Sequence, residues 1–156
     1  MLKRPRPDGH SSEDAPPRRL LIAANNLEAR DTYAGLLRAA GFDSVVCGLD
    51  SVVATAAQTH VGVAVLVGTG PDEGGAIKAT DDMRNSEHQQ VRRTAALLLA
   101  TTGRNRIFAW ETGIDGFVQM PEHLDRIVAE IESILARPRL SRFEHRQAMI
   151  AAARDT

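Results

Sequence analysis

Cysteine occurs once in the 156 residues, at Cys47. That excludes a disulfide framework and suits a reducing, cytoplasmic compartment. The thiol falls inside an expected strand and reads as an inert core group. No apolar run is long enough to span a bilayer. The N-terminus carries basic residues but no apolar core segment, so it is not a secretory signal. Positive charge is scarce in the body of the chain: residues 20–136 hold nine basic and fifteen acidic groups, a balance of −6. The ends lean the other way, with five basic against three acidic in 1–19 and five against two in 137–156. An acidic body argues against nucleic acid, whose binders need a positive footprint. The basic ends read as solubilising charge.

Motifs for cofactors and catalysis are also missing. The glycines of 68–75 (GTGPDEGG) lack the lysine of a P-loop, and no G-x-G-x-x-G follows the first strand. His10, His60, His88, His123 and His145 are scattered, without metal-ligand spacing near acids or cysteines. No serine sits in a G-x-S-x-G elbow, and no nucleophile–base set converges on one place. No cofactor and no metal are expected, and the chain does not read as an enzyme.

What is present is one domain's worth of alternating strands and helices. Residues 1–17, rich in Pro, Ser and charge, read as a disordered leader. Leu20-Leu21-Ile22-Ala23-Ala24 is a buried-strand run. Asn25-Asn26 ends it and offers a cap for a helix over 27–40, which Gly41 stops. A strand over 44–48, a short helix over 51–59 and an apolar strand over 61–67 follow. After the glycine-rich loop come a helix over 76–86, a hydrophilic segment 87–93, and a strand over 95–101. A short helix over 104–112 and a strand over 115–119 follow, the strand with Phe117 and Val118 as its apolar residues. Leu124, Ile127, Val128, Ile131, Ile134 and Leu135 then give the strongest amphipathic helix of the chain. Five such strands imply a parallel α/β sheet with right-handed crossovers. A flavodoxin-like three-layer α/β/α sandwich, order 2-1-3-4-5, fits this length, with its site at the C-terminal strand ends.

One further absence stands out within this frame. The apolar run Val63-Ala64-Val65-Leu66-Val67 passes directly into Gly68-Thr69-Gly70-Pro71, with no carboxylate at its end. Over residues 18–136 the chain resembles the receiver domain of two-component response regulators. NNLEARDTYAGLLRAAGFD is similar to that family's first loop and helix, LLLATTG to its fourth strand, and ETGIDGFVQMPEHLDRIVAEIESIL to its fifth strand and last helix. The resemblance implies a CheY-like fold and phosphoryl transfer to an aspartate after the third strand. Two acids after the first strand would help that aspartate hold Mg²⁺. A lysine before a proline would neutralise the phosphoryl oxygens, and a hydroxyl after the fourth strand would bond them.

Position by position, this sequence departs from that pattern. Asn25 and Asn26 stand in the acid-pair region and have lost its charge. The acceptor position falls on Val67 or Gly68, and Met120 replaces the lysine before Pro121. Only Thr101, at the hydroxyl position, and the switch-like aromatic Phe117 match. Asp72 and Glu73 read as solvated loop charges. The resemblance therefore implies a pseudo-receiver, with Mg²⁺ binding not expected. Its function would be phosphorylation-independent contact with a protein: a signalling kinase, a regulator or a second copy of the chain. The alternative is a sensor that binds a small molecule or anion in the emptied pocket.

Ile107, Phe108, Trp110 and Phe117 form the candidate partner face, since aromatics serve as interface anchors, although core packing is the better reading of the aromatics. Residues 137–156 form an appended helical extension with Leu140, Phe143, Met149 and Ile150 as its apolar contacts. Three fates are open to it: docking on its own domain, contacting a partner or second copy, or fraying.

Overall fold

The computed structural model describes residues 16–155. The expected leader lies outside the described residues except for Pro16 and Pro17. Strands β1 (Arg19–Ala23), β2 (Asp43–Cys47), β3 (Val63–Gly68), β4 (Ala95–Ala100) and β5 (Gly116–Gln119) form one parallel sheet in the order β2-β1-β3-β4-β5. Helices α1 (Leu27–Ala39), α2 (Val52–Gln58), α3 (Glu73–Arg84), α4 (Gln89–Arg93), α5 (Arg106–Thr112), α6 (Leu124–Ala136) and α7 (Arg139–Arg154) follow in chain order. The fold is the expected flavodoxin-like sandwich with an additional C-terminal helix.

Two apolar clusters cover the two faces of the sheet. Strand residues alternate between faces, so Leu20 and Ile22 join one cluster while Leu21 and Ala23 join the other. The first cluster takes Leu37 of α1 and Ile127, Ile131 and Ile134 of α6. The second takes Ile77 and Met83 of α3, Trp110 of α5 and Ile150 of α7. Every residue of β3 and β4 is buried, as expected for central parallel strands covered on both sides.

Local chemistry sets the element ends. Asn26 caps α1, its Oδ1 accepting from the Ala29 N–H at 2.8 Å. Gly41, at φ 99°, lets the chain leave α1 through a left-handed turn, and the Phe42 N–H closes it on the Leu37 carbonyl. Two boundaries differ from the sequence reading. Helix α3 begins at Glu73, through glycines that read as loop, because Pro71 starts a short 3₁₀ turn that leads into it. The hydrophilic segment 87–93 contains α4, anchored by buried Val91.

Candidate functional site

The C-terminal strand ends gather Asn25, Asn26, Val67, Gly68, Thr101 and Met120, as the fold class requires. The polar groups among them are spent on the protein itself. Asn25 Oδ1 accepts from the Leu49 N–H at 3.1 Å, and its amide donates to Asp72 Oδ1 at 3.3 Å. It thereby ties the end of β1 to the turns before α2 and α3. Asn26 is occupied as the α1 cap. Thr101 Oγ1 accepts from the Gly70 N–H at 2.7 Å, which holds the β3–α3 turn against the end of β4.

Neither residue at the acceptor position has room for new chemistry. Val67 is 4% exposed and packs in the cluster under α1 and α6. A Cβ on Gly68 would lie 2.8 Å from the Cβ of Ala76 and 3.2 Å from the Cα of Glu73. The glycine is what lets α3 start so close to the strand end. Met120 packs against the first cluster, and its peptide bond to Pro121 is cis.

Glu73 corrects an expectation. It is not a solvated loop charge but a buried carboxylate, 8% exposed. It accepts from Asn105 Nδ2 at 2.8 Å and Thr102 Oγ1 at 3.4 Å, fastening α3 to the β4–α5 loop. Asp72 is likewise engaged by Asn25. Arg30, given no role in the sequence reading, brings a cation to this end of the sheet. Its Nε donates to the Ala24 carbonyl at 2.6 Å, and its guanidinium lies beside Gly48.

This donor set does not fit the divalent cation that receiver chemistry uses. A hard ion wants several anionic oxygens converging on one point. Here the Asn25 oxygen already receives an N–H, and its amide donates to Asp72. Among the described residues no group of three Asp, Glu, His or Cys side chains could hold a metal. Cys47 is buried below the same strand ends, and burial pushes its thiol above the usual range.

The candidate partner face has a different fate. Trp110 is 2% exposed and packs in the core, and Phe117 is partly buried against the same cluster. Ile107 is half-buried, while Phe108 is 60% exposed. Helix α7 lies across α5, so of the three fates open to the C-terminal segment the structure shows docking on its own domain. His145 meets the Trp110 ring edge-on at 5.7 Å between centroids. Met149 and Ile150 pack into the second cluster. Leu140 and Phe143 do not take the packing role read from the sequence, being 85% and 59% exposed.

Polar contacts at the opposite end of the sheet fix α7 further. Asp115, just before β5, has a fully buried side chain. Its carboxylate accepts from Arg84 Nη2 at 3.0 Å, from Arg142 Nε and Nη2 at 2.9 and 3.1 Å, and from the Ala96 N–H at 2.9 Å. Arg146 adds an ion pair at 3.4 Å. Arg84 also donates to the carbonyls of Gly113, Arg92 and Thr94, and Arg142 to that of Arg93. Burial alone would raise the Asp115 carboxyl, but Arg142, Arg84 and Arg146 outweigh it and hold it below the usual carboxylate range. Burial brings Arg84 down to about 10, with Asp115 opposing and the other two arginines assisting. The sequence reading missed this cluster. Its available signals were an aspartate entering an apolar strand and arginines four apart on one helix face.

The architecture is that of response-regulator receiver domains. The chemotaxis protein CheY4 of Vibrio cholerae superposes with a TM-score of 0.64 at 17% identity, covering 74% of this chain and 97% of its own. The receiver domain of a sensor histidine kinase from Pseudomonas aeruginosa, solved with magnesium in its active-site cleft, gives 0.64 at 15% identity, covering 76% and 97%. The BeF3-activated receiver domain of Klebsiella pneumoniae RstA gives 0.62 at 17%, covering 75% and 97%. No family model matches the sequence, and no curated protein matches it either. The likeness is thus one of fold, carried by the order and parallel pairing of all five strands. Among the described residues, no helix is long and apolar enough to cross a membrane.

Proposed function

We propose that this chain is a pseudo-receiver. It acts in cytoplasmic signal transduction by contact with another protein, without phosphorylation, Mg²⁺ or catalysis. The observation that carries this reading is the engagement of the strand-end groups by the protein's own backbone. The Thr101 hydroxyl accepts the Gly70 N–H and the Asn25 oxygen accepts the Leu49 N–H, so both hold loops in place at the positions where receiver chemistry addresses a phosphoryl group and a metal. Gly68 packed on Ala76 supports it, because the acceptor position is closed by helix α3. A fold kept intact around a site committed to holding loops is suited to presenting surfaces.

The experiment is incubation of the full chain with acetyl phosphate and Mg²⁺, read by intact mass and hydroxylamine sensitivity. The expected result is an unmodified chain. Stoichiometric, hydroxylamine-labile addition of a phosphoryl group would overturn the proposal.

A further inference from the structure

We infer that the cleft at the N-terminal end of the sheet, opposite the receiver site, is the docking surface, and that its occupant is an acidic, partly apolar segment of a partner protein. The inference rests on the reading that the chain acts by protein contact, and it names the surface and the chemistry of the partner.

The cleft is an open recess of about 940 Å³ between the α2–β3 turn, α4 and the junction of α6 with α7. Its titratable lining is of one sign. His60, Arg93, Arg137, Arg139 and Arg142 face it, and among the described residues lining it there is no Asp or Glu. The body of the chain is acidic overall, so this concentration of arginine is a local feature and not an average one. The carboxylate paired with Arg142 is Asp115, with no side-chain exposure, and it is shared among three arginines. Of those three only Arg142 lines the cleft, so the cleft keeps the charges of Arg93, Arg137 and Arg139 after the internal pairing. Arg93 and Arg139 are exposed, and each contributes a further charge to the rim.

The remaining lining narrows the chemistry. Leu135, Ala136 and Pro138 contribute apolar surface to the cleft, backed by buried Val61 and Ile134. No Phe, Tyr or Trp lines it among the described residues, so a nucleobase would find no ring to stack on. An apolar floor under a cationic rim suits a peptide that alternates aliphatic and acidic side chains. Charge complementarity of this kind sets partner choice and association rate. The alternative surface across α5 is already taken by α7, whereas no other described residue fills this cleft.

The test uses the full chain and fluorescein-labelled peptides, read by anisotropy at low and high salt. The first probe alternates Leu and Glu, the second alternates Leu and Lys, and unlabelled ATP and tripolyphosphate serve as competitors. The expected result is binding of the glutamate peptide alone, weakened by salt. The paired substitution Arg93→Glu with Arg139→Glu should reduce affinity about tenfold or more. Arg104→Glu, at the far end of the sheet, should leave it unchanged. Circular dichroism and melting of each variant separate lost binding from lost fold.

Equal binding of the lysine peptide would overturn the inference, as would no binding of the glutamate peptide or an unaffected double variant. Displacement of the glutamate peptide by tripolyphosphate with much higher affinity would reassign the cleft to a phosphate-rich small ligand. Each of these results is independent of the phosphodonor experiment. An unmodified chain that ignores the glutamate peptide would therefore leave the pseudo-receiver reading standing while removing this one.

Discussion

The Asp115 carboxylate accepts both Nε and Nη2 of Arg142, at 2.9 and 3.1 Å, and so ties the last helix to the entrance of the last strand. Planar guanidinium and carboxylate meet here in a two-point contact shielded from water. The same carboxylate receives Arg84 of α3, so one buried anion joins three elements distant in sequence. Helix α7 is apolar along only a narrow strip, with Ile150 as its one buried residue. Its position on the domain depends on this cluster as much as on packing.

Asp115→Asn should therefore be among the most destabilising polar changes in the chain. It leaves three arginines facing a neutral group, and breaking a buried pair from one side costs about 3–5 kcal/mol. Arg146→Ala should cost far less, because Arg146 stands 3.4 Å away and its Nε makes no hydrogen bond. Urea denaturation of the two variants checks the ordering, and similar midpoints would contradict it.

Acid should act at the same place. Because the folded carboxyl titrates below the ordinary aspartate value of 3.8, its contribution is complete above that value and is lost as pH falls through the lower, folded one. His145 adds an earlier and smaller effect. Burial first, and then Arg137, lower its pKa from 6.5, so stability declines as pH drops from that value through the folded one. Trp110, the only tryptophan in the chain, contacts His145 and reports on α7 by its emission. The expected profile is a shallow step below pH 6.5, absent in His145→Gln, and a main transition below pH 4, absent in Asp115→Asn. A Trp110 signal that is flat through both ranges would show that α7 is held by other means.

Thr101→Val tests the closed pocket. The substitution removes the acceptor of the Gly70 N–H without changing side-chain volume much, for a loss of about 1 kcal/mol. Hydrogen exchange at the Gly70 amide should accelerate beyond what the global change explains. An unchanged exchange rate would mean that the β3–α3 turn does not depend on this contact.

The hydrophobic pattern made the sheet and its order legible. Runs such as Val63–Gly68 and Ala95–Ala100 are apolar at nearly every position, which only a doubly covered parallel strand tolerates. The places of Asn25, Gly68 and Met120 at the strand ends were legible too, because they follow directly from the ends of those strands. What those groups do instead was not legible. The partners of Thr101 and Glu73 are backbone and side-chain groups brought close only by folding, and short polar side chains carry no periodicity. Asp115 escaped notice for the same reason: its three arginines come from α3 and α7, and only the fold sums their charges. Trp110 stayed open between core ring and interface anchor because a sequence does not distinguish a ring covered by another protein from one covered by its own last helix.

Rebuilding the acceptor should fail on steric grounds before it fails on electrostatic ones. The combination Asn25→Asp, Gly68→Asp and Met120→Lys supplies an acid, an acceptor and a cation. The new Cβ at residue 68, however, would lie 2.8 Å from that of Ala76 and 3.1 Å from Leu98 Cδ1. Overpacking of this kind costs about 1–3 kcal/mol and is relieved only by moving α3. Placing the aspartate at Val67 instead would put a carboxylate into the apolar cluster under α1 and α6, where an unpaired charge is costlier still. The triple variant is therefore expected to melt earlier than the wild type and to remain unmodified by acetyl phosphate with Mg²⁺ in intact-mass measurements. Adding Ala76→Gly removes the closest contact and should recover part of the melting temperature. Even then, the β3–α3 turn stays held against the end of β4 by the Gly70 N–H on Thr101, so modification should still be absent. Full phosphorylation of the triple variant would show that three side chains, and not the arrangement of the loops around them, separate this chain from a working receiver.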